Sequence, residues 1–380
     1  MPPREFRMSD PTVKPDCRFF RGDKPCRFGY PCDDCPRYAP VRHKVLLIKA
    51  RAQGDVLRTT PLLPGLRQKY PDTFLTWLTD PESVPLLENN PFIDRLLPFS
   101  LESVLPVLVE RFDVVICLDK EPELTALASK LEAAEKYGFG LNSLGNLVPF
   151  NAAAEYAYRL GMDDELKFRL NSRTYQDIAA EAAGVEHHGE EYFFCLKDEA
   201  RKKADAFFRR HRIPRGRPAV GLNTGAGSKF ETKQWPEGHY LKLIRLLAQR
   251  LKANIFLLGG PREKSFNDRL RRRSPARVFH TGTDNSLAEF SGFLERMDVV
   301  VCSDTLAMHL AIALKKKVVA LFGPTCPREI DLYGRGAALF SGASCAPCYR
   351  QACDDGRCMR DIKPEEVLAA VKELLAGGSR

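Results

Sequence analysis

The chain predicts an α/β protein of two doubly wound domains facing a cleft, with a cysteine-rich arm ahead of them. Three observations carry that prediction. Residues 298–325, DVVVCSDTLAMHLAIALKKKVVALFGPT, hold two apolar runs separated by a segment with apolar residues at helical spacing and lysines at its end. Two fully apolar strands joined by a helix describe a βαβ unit in a parallel sheet covered on both faces. A similar strand–turn–helix pattern opens each half of the chain, near 45–70 and 219–251, so the halves read as two copies of one architecture. Between them Ile213-Pro214-Arg215-Gly216-Arg217-Pro218 cannot continue a helix and suits a hinge. A length of 380 residues suffices for two cores.

Composition narrows the class. Apolar content of 44% with 28% charged residues is that of an ordinary soluble globular protein. No uninterrupted apolar run is long enough to span a bilayer, and the first residues lack the basic-then-apolar order of a signal peptide, which predicts a cytoplasmic protein. The formal charge of +9 suits an anionic partner without choosing among nucleotide sugar, phosphorylated lipid and nucleic acid. Twelve cysteines in such a chain argue for thiols or metal ligands rather than a disulfide framework.

Residues 1–40 form a proline-rich, basic arm with Cys17, Cys26, Cys32 and Cys35 in the spacing C-x8-C-x5-C-x2-C. The arm has too little apolar surface to fold alone, and four thiolates would close a structural zinc or iron–sulfur site whose binding supplies the folding free energy. The alternative is four free thiols in a surface arm. The first domain, 41–213, begins with a buried strand at 45–49 that runs into Ala50-Arg51-Ala52-Gln53-Gly54-Asp55. Gly54 allows close backbone approach there, and Asp55 sits at the C-terminal edge of the sheet, as either a ligand group or a helix cap. A helix at 59–70, strands at 73–78, 95–99 and 113–118, helices at 84–88 and 122–136, a further strand at 192–196 and a helix at 198–211 complete the domain.

The second domain, 214–362, opens with a strand at 219–223 and the glycine-rich Thr224-Gly225-Ala226-Gly227-Ser228 ahead of Lys233 and a helix reaching 251. A glycine loop before a lysine suits a phosphate, although this is no Walker A sequence. The strand at 254–258 ends in Gly259-Gly260-Pro261-Arg262-Glu263, and a carboxylate there could hold a ribose hydroxyl pair. After a helix at 286–297, the strand at 298–301 ends on Ser303-Asp304-Thr305. Free N–H groups and the helix dipole of 306–314 favour a phosphate at that turn. Asp304 and Thr305 are equally good N-cap residues, so capping and ligand binding both account for them. His309 points back toward the same end, although a lone histidine in an apolar helix is more often core. Past Thr325, Cys345, Cys348, Cys353 and Cys358 occupy a polar loop, and a final helix spans 364–375 within a terminal segment, 363–380.

Taken together, Gly54-Asp55-Val56-Leu57 with Thr59-Thr60-Pro61, Asn223-Thr224-Gly225-Ala226-Gly227 through Lys233-Gln234-Trp235-Pro236-Glu237, Ser303 to His309, Phe322-Gly323-Pro324-Thr325 and the cysteine tail give the chain its family likeness. In order and in content they resemble the glycosyltransferases that include the ADP-heptose:lipopolysaccharide heptosyltransferases. The resemblance covers roughly residues 43–376 and leaves the arm outside; at Leu306 the family commonly has glycine. It implies a GT-B fold and an inverting transfer of heptose from ADP-heptose to a lipid-linked lipopolysaccharide core precursor at the inner membrane face. It further implies Asp55 as general base, Lys233 neutralising the departing diphosphate, and Glu263 on the ribose. Thr224, Gly225, Ser228, Asp304, Thr305, Leu306, Ala307 and His309 would complete the donor site. No catalytic cofactor is expected, because Lys233 and the helix dipole would take a cation's role. Two other readings compete: the same fold serving another nucleotide sugar and surface glycan, and an inactive metal-bearing binding module. The arm lacks the interleaved aromatic and basic residues of a nucleic-acid surface, so no nucleic-acid partner is expected.

Overall fold

The structure, a computed structural model, describes residues 13–22, 26, 28–29, 31–227 and 230–377 of the 380-residue chain. Two six-stranded sheets organise it. The first contains β1 (His43–Ile48), β2 (Thr73–Thr79), β3 (Arg95–Pro98), β4 (Phe112–Cys117), β5 (Ala133–Leu141) and β6 (Leu147–Pro149) in the order β3-β2-β1-β4-β5-β6. All of its pairs are parallel except β5 with β6. The second contains β7 (Ala219–Asn223), β8 (Asn254–Leu258), β9 (Val278–His280), β10 (Val299–Ser303), β11 (Lys317–Phe322) and β12 (Gly336–Phe340), ordered β12-β11-β10-β7-β8-β9 and parallel throughout.

Each sheet therefore repeats the doubly wound order, with its first and fourth strands adjacent at the centre. The chain turns in opposite directions on either side of that pair, which opens a crevice at the strand C-termini. The residues dictate this arrangement: β7, β8 and β10 are buried at every position, and apolar β-branched strands of that kind are stable only with both faces covered.

Several elements depart from the sequence reading. The expected helix at 122–136 stops at Lys130, and β5 takes over at Ala133, pairing with β4 from Phe112 to Cys117. Ala-Ala-Glu-Lys favours a helix locally, but an unpaired β4 edge overrides that preference. Residues 192–196 form no strand: Tyr192 packs against His309, and the Phe193 N–H donates to the Thr60 hydroxyl at 2.9 Å. The helix expected at 59–70 covers Leu62–Lys69, and the turn expected before it is already helical over Gln53–Thr59, the two helices being broken at Thr60-Pro61.

The helix Asp198–Arg210, on the first-domain side of the expected hinge, packs against the helix Leu287–Glu295, which precedes β10 of the second sheet. A side chain at Gly292 would come within 2.4 Å of the Ala200 carbonyl, Phe207 meets Phe293 edge-on at 5.3 Å, and Arg201 pairs with Glu295 at 2.9 Å. The final helix, Pro364–Ala376, buries Val367 and Val371 in the second core, and the indole N–H of the fully buried Trp235 donates to the Ile362 carbonyl at 3.1 Å.

Candidate active site

The loops after β1 and β10 face each other across the space between the sheets. Ala52 precedes the helix Gln53–Thr59 with φ 61°, a strained conformation for a residue with a Cβ, and no side chain caps that helix. Asp55 is thus not a cap. Its carboxylate lies 3.1 Å from Arg58 Nη2 and 3.9 Å from Lys49 Nζ. Burial works against its charge, but Arg58, Lys49 and His309 outweigh it and hold the carboxyl below its ordinary range.

Both cations are themselves fixed. Lys49 is buried against Asp119, whose other oxygen accepts the Ala50 N–H, and this follows from the register that sets Ile48 beside Cys117. Arg58 lies 3.8 Å over the Tyr175 ring and 3.8 Å from Glu329. Burial opposes both charges, and their carboxylate partners more than restore them.

Across the cleft, Lys233 Nζ donates to the Asp304 carbonyl at 2.8 Å and to its carboxylate at 3.0 Å, while the Ser303 hydroxyl donates to the Lys233 carbonyl at 2.8 Å. Burial opposes the Asp304 charge, but Lys233 and His309 prevail and hold its carboxyl low. Thr305, at the start of the helix Leu306–Ala313, makes no capping bond. The N–H groups of Met308 and His309 turn to the Thr305 carbonyl, leaving the first-turn N–H groups of Leu306 and Ala307 outside the helix ladder. Such a terminus favours an anion. His309 is buried, with Nε2 3.9 Å from Asp304 and Nδ1 3.4 Å from the Tyr192 hydroxyl. Its ring also occupies the space beside Gly54: a Cβ there would stand 2.5 Å from the imidazole.

Asp55, Lys233, Asp304, Thr305, Leu306 and His309 accordingly line one cavity of about 520 Å³ between the sheets. Thr224, Gly225 and Glu263 lie farther along the second sheet, where β10, β7 and β8 are neighbours. Glu263 accepts the Gly260 N–H at 2.8 Å, and any side chain at Gly225 would approach its carboxyl carbon to 3.3 Å. The Thr224 hydroxyl points into the core, donating to Asn267 at 2.6 Å, and Ala307 is buried. Ser228 lies outside the described residues.

Lys49, Arg58, Asp119, Lys167, Tyr192, Glu329 and Tyr349 were not singled out from the sequence. Arg58 carried a local signal, since it stands three residues after Asp55 on one helix face. Tyr349 reaches the cavity because the N–H groups of Cys348 and Tyr349 both donate to the Pro324 carbonyl at 2.9 Å, folding the cysteine tail back over the turn after β11. Among the described residues no group of three or more His, Cys, Asp or Glu side chains is gathered to hold a metal ion, and no helix is long and apolar enough to cross a membrane.

Comparison with known proteins agrees with this architecture. The family model described as "Glycosyltransferase family 9 (heptosyltransferase)" matches residues 107–358. The "Lipooligosaccharide heptosyltransferase 2" of Haemophilus ducreyi is 24% identical over 88% of this chain and 99% of its own length. Two solved structures share the fold: "glycosyl transferase family 9 from Veillonella parvula", with TM-score 0.70 and 20% identity over 88% of this chain and 98% of that one, and "E. coli heptosyltransferase WaaC with ADP", with TM-score 0.56, 20% identity and the same coverage.

Proposed function

The chain belongs to glycosyltransferase family 9, the heptosyltransferases, and from that premise we propose that it transfers heptose from ADP-heptose to a lipid-linked lipopolysaccharide core precursor. The observation that carries this is the single cavity where Asp55, from the first sheet, faces Lys233 and the uncapped helix start at Asp304–Leu306, from the second. A base and an anion site meet there at the switch points of two doubly wound sheets.

The acceptor hydroxyl attacks the anomeric carbon while its proton passes to the Asp55 carboxylate, which takes it late in the displacement. The bond from that carbon to the diphosphate oxygen breaks, and ADP leaves with its charge met by Lys233 and the N–H groups of Leu306 and Ala307. One displacement inverts the configuration at the sugar. Arg58 and Lys49 keep Asp55 ionised and aimed; Glu263, two strands along from Asp304, would hold the ribose hydroxyls. The reaction as proposed uses no cofactor, and any metal on the arm's Cys17, Cys26, Cys32 and Cys35 is structural.

An apolar strip supports a lipid-linked acceptor and peripheral attachment to the inner membrane. On the helix Leu101–Val109, Leu101, Leu105, Leu108 and Val109 are exposed at helical spacing. The test of the donor is nucleotide release from a panel of ADP-, UDP- and GDP-linked sugars with acceptor present. ADP release from ADP-heptose is expected; UDP or GDP release would transfer the reading to another nucleotide sugar, and no release from any donor would favour a binding module.

A further inference from the structure

The four cysteines of the arm line one cavity of about 300 Å³ that shares no lining residue with the cleft. All four are half-buried, whereas two of the four cysteines in the C-terminal tail are exposed. Three of them open a tight turn: the carbonyls of Cys17, Cys26 and Cys35 accept the N–H groups of Phe20, Gly29 and Tyr38 at 2.9–3.1 Å. Phe19 and Phe28 meet edge-on at 4.9 Å in the wall of the same cavity, with Lys14 and Arg37 also lining it.

We propose that this cavity holds an iron–sulfur cluster ligated by Cys17, Cys26, Cys32 and Cys35. A single zinc ion draws four sulfurs to about 2.3 Å from one point, whereas an iron–sulfur cluster is held by four thiolates around a larger group. A cavity of about 300 Å³ lined by all four cysteines has room for that larger group. Its charge is negative when bound by four thiolates, which Lys14 and Arg37 offset, and the aromatic wall keeps water from the inorganic sulfide. The cluster also answers a question of stability. None of the described arm residues belongs to any of the three apolar cores, yet the arm is docked on the first sheet by Arg18, which donates to Asp94 and to the Thr73 carbonyl at 3.0 Å. Ligation supplies the folding free energy that burial does not.

Full-length protein, expressed with iron supplied and purified without oxygen, tests this through iron, acid-labile sulfide and zinc content, visible absorption, and electron paramagnetic resonance after dithionite. Iron and sulfide in equal amounts are expected, with a broad visible absorption that bleaches on reduction. Cys26→Ser with Cys35→Ser should carry roughly ten-fold less iron, while Cys345→Ser with Cys353→Ser keeps it. Because the arm variant could misfold, wild-type protein stripped of iron by oxidation and chelation serves as a second readout: the arm should become trypsin-sensitive while the two-sheet body resists. Zinc without sulfide, absence of both metals, or iron that is lost with the C-terminal pair and kept in the arm variant would each overturn the assignment.

Discussion

His309 lies beneath the cleft, facing Arg58, Asp304, Asp55, Lys233 and Tyr192, and burial first, then Arg58, lowers its pKa from 6.5 to about 4. The ring is therefore neutral at pH 7. As pH falls below 6.5 the unfolded chain binds a proton that the folded one refuses, so the folded state loses stability down to about pH 4. Wild-type unfolding free energy should fall across that window by on the order of 3 kcal/mol more than that of His309→Gln; equal slopes in denaturant titrations would contradict the burial argument. Much of the site at this scale was legible, because Asp55, Lys233 and Asp304 sit in turns defined by nearby residues. Lys49 and Asp119 were not, since their pairing depends on strands 70 residues apart coming into register.

Gly54 sets how closely two helices from different domains approach. The helices Gln53–Thr59 and Leu306–Ala313 meet where the His309 ring fills the place of a Gly54 side chain. In Gly54→Ala the added methyl forces them apart, costing about 1–3 kcal/mol and displacing Asp55 from Asp304. Donor turnover should fall with it, and Gly54→Ala combined with His309→Ala should recover part of the lost stability; a thermal unfolding midpoint unchanged in the single variant would contradict the contact. Elements built on long apolar runs, such as β7, β8, β10 and β11, were readable from the sequence. Those at edges were not: β5 has exposed positions at Ala134 and Glu135 and glycines at 138 and 140, so only its pairing with β4 makes it a strand. The pair β9 and β12, of three and five residues, likewise gains its identity from the strands beside it.

Across the whole molecule, two copies of one strand order place Asp55 on one side of the cleft and the uncapped helix start at Leu306 on the other, while an apolar strip faces outward on the first domain. Leu105→Glu with Val109→Glu should reduce cosedimentation with anionic lipid vesicles without changing ADP affinity, and unaltered cosedimentation would remove the strip from any membrane role. The two-domain plan was legible because each half carries its own turns; the path between them was less so, because the helix Asp198–Arg210 joins the second sheet through contacts with Phe293 and Glu295 that lie far along the chain. The central claim is that Asp55 takes the acceptor's proton in a heptosyl transfer from ADP-heptose. It is tested most directly by acceptor-dependent ADP release from ADP-heptose by Asp55→Asn, alongside its ADP affinity by calorimetry. Turnover lower by about 10²-fold or more with ADP affinity unchanged is the predicted result; near-normal turnover in that variant would contradict it.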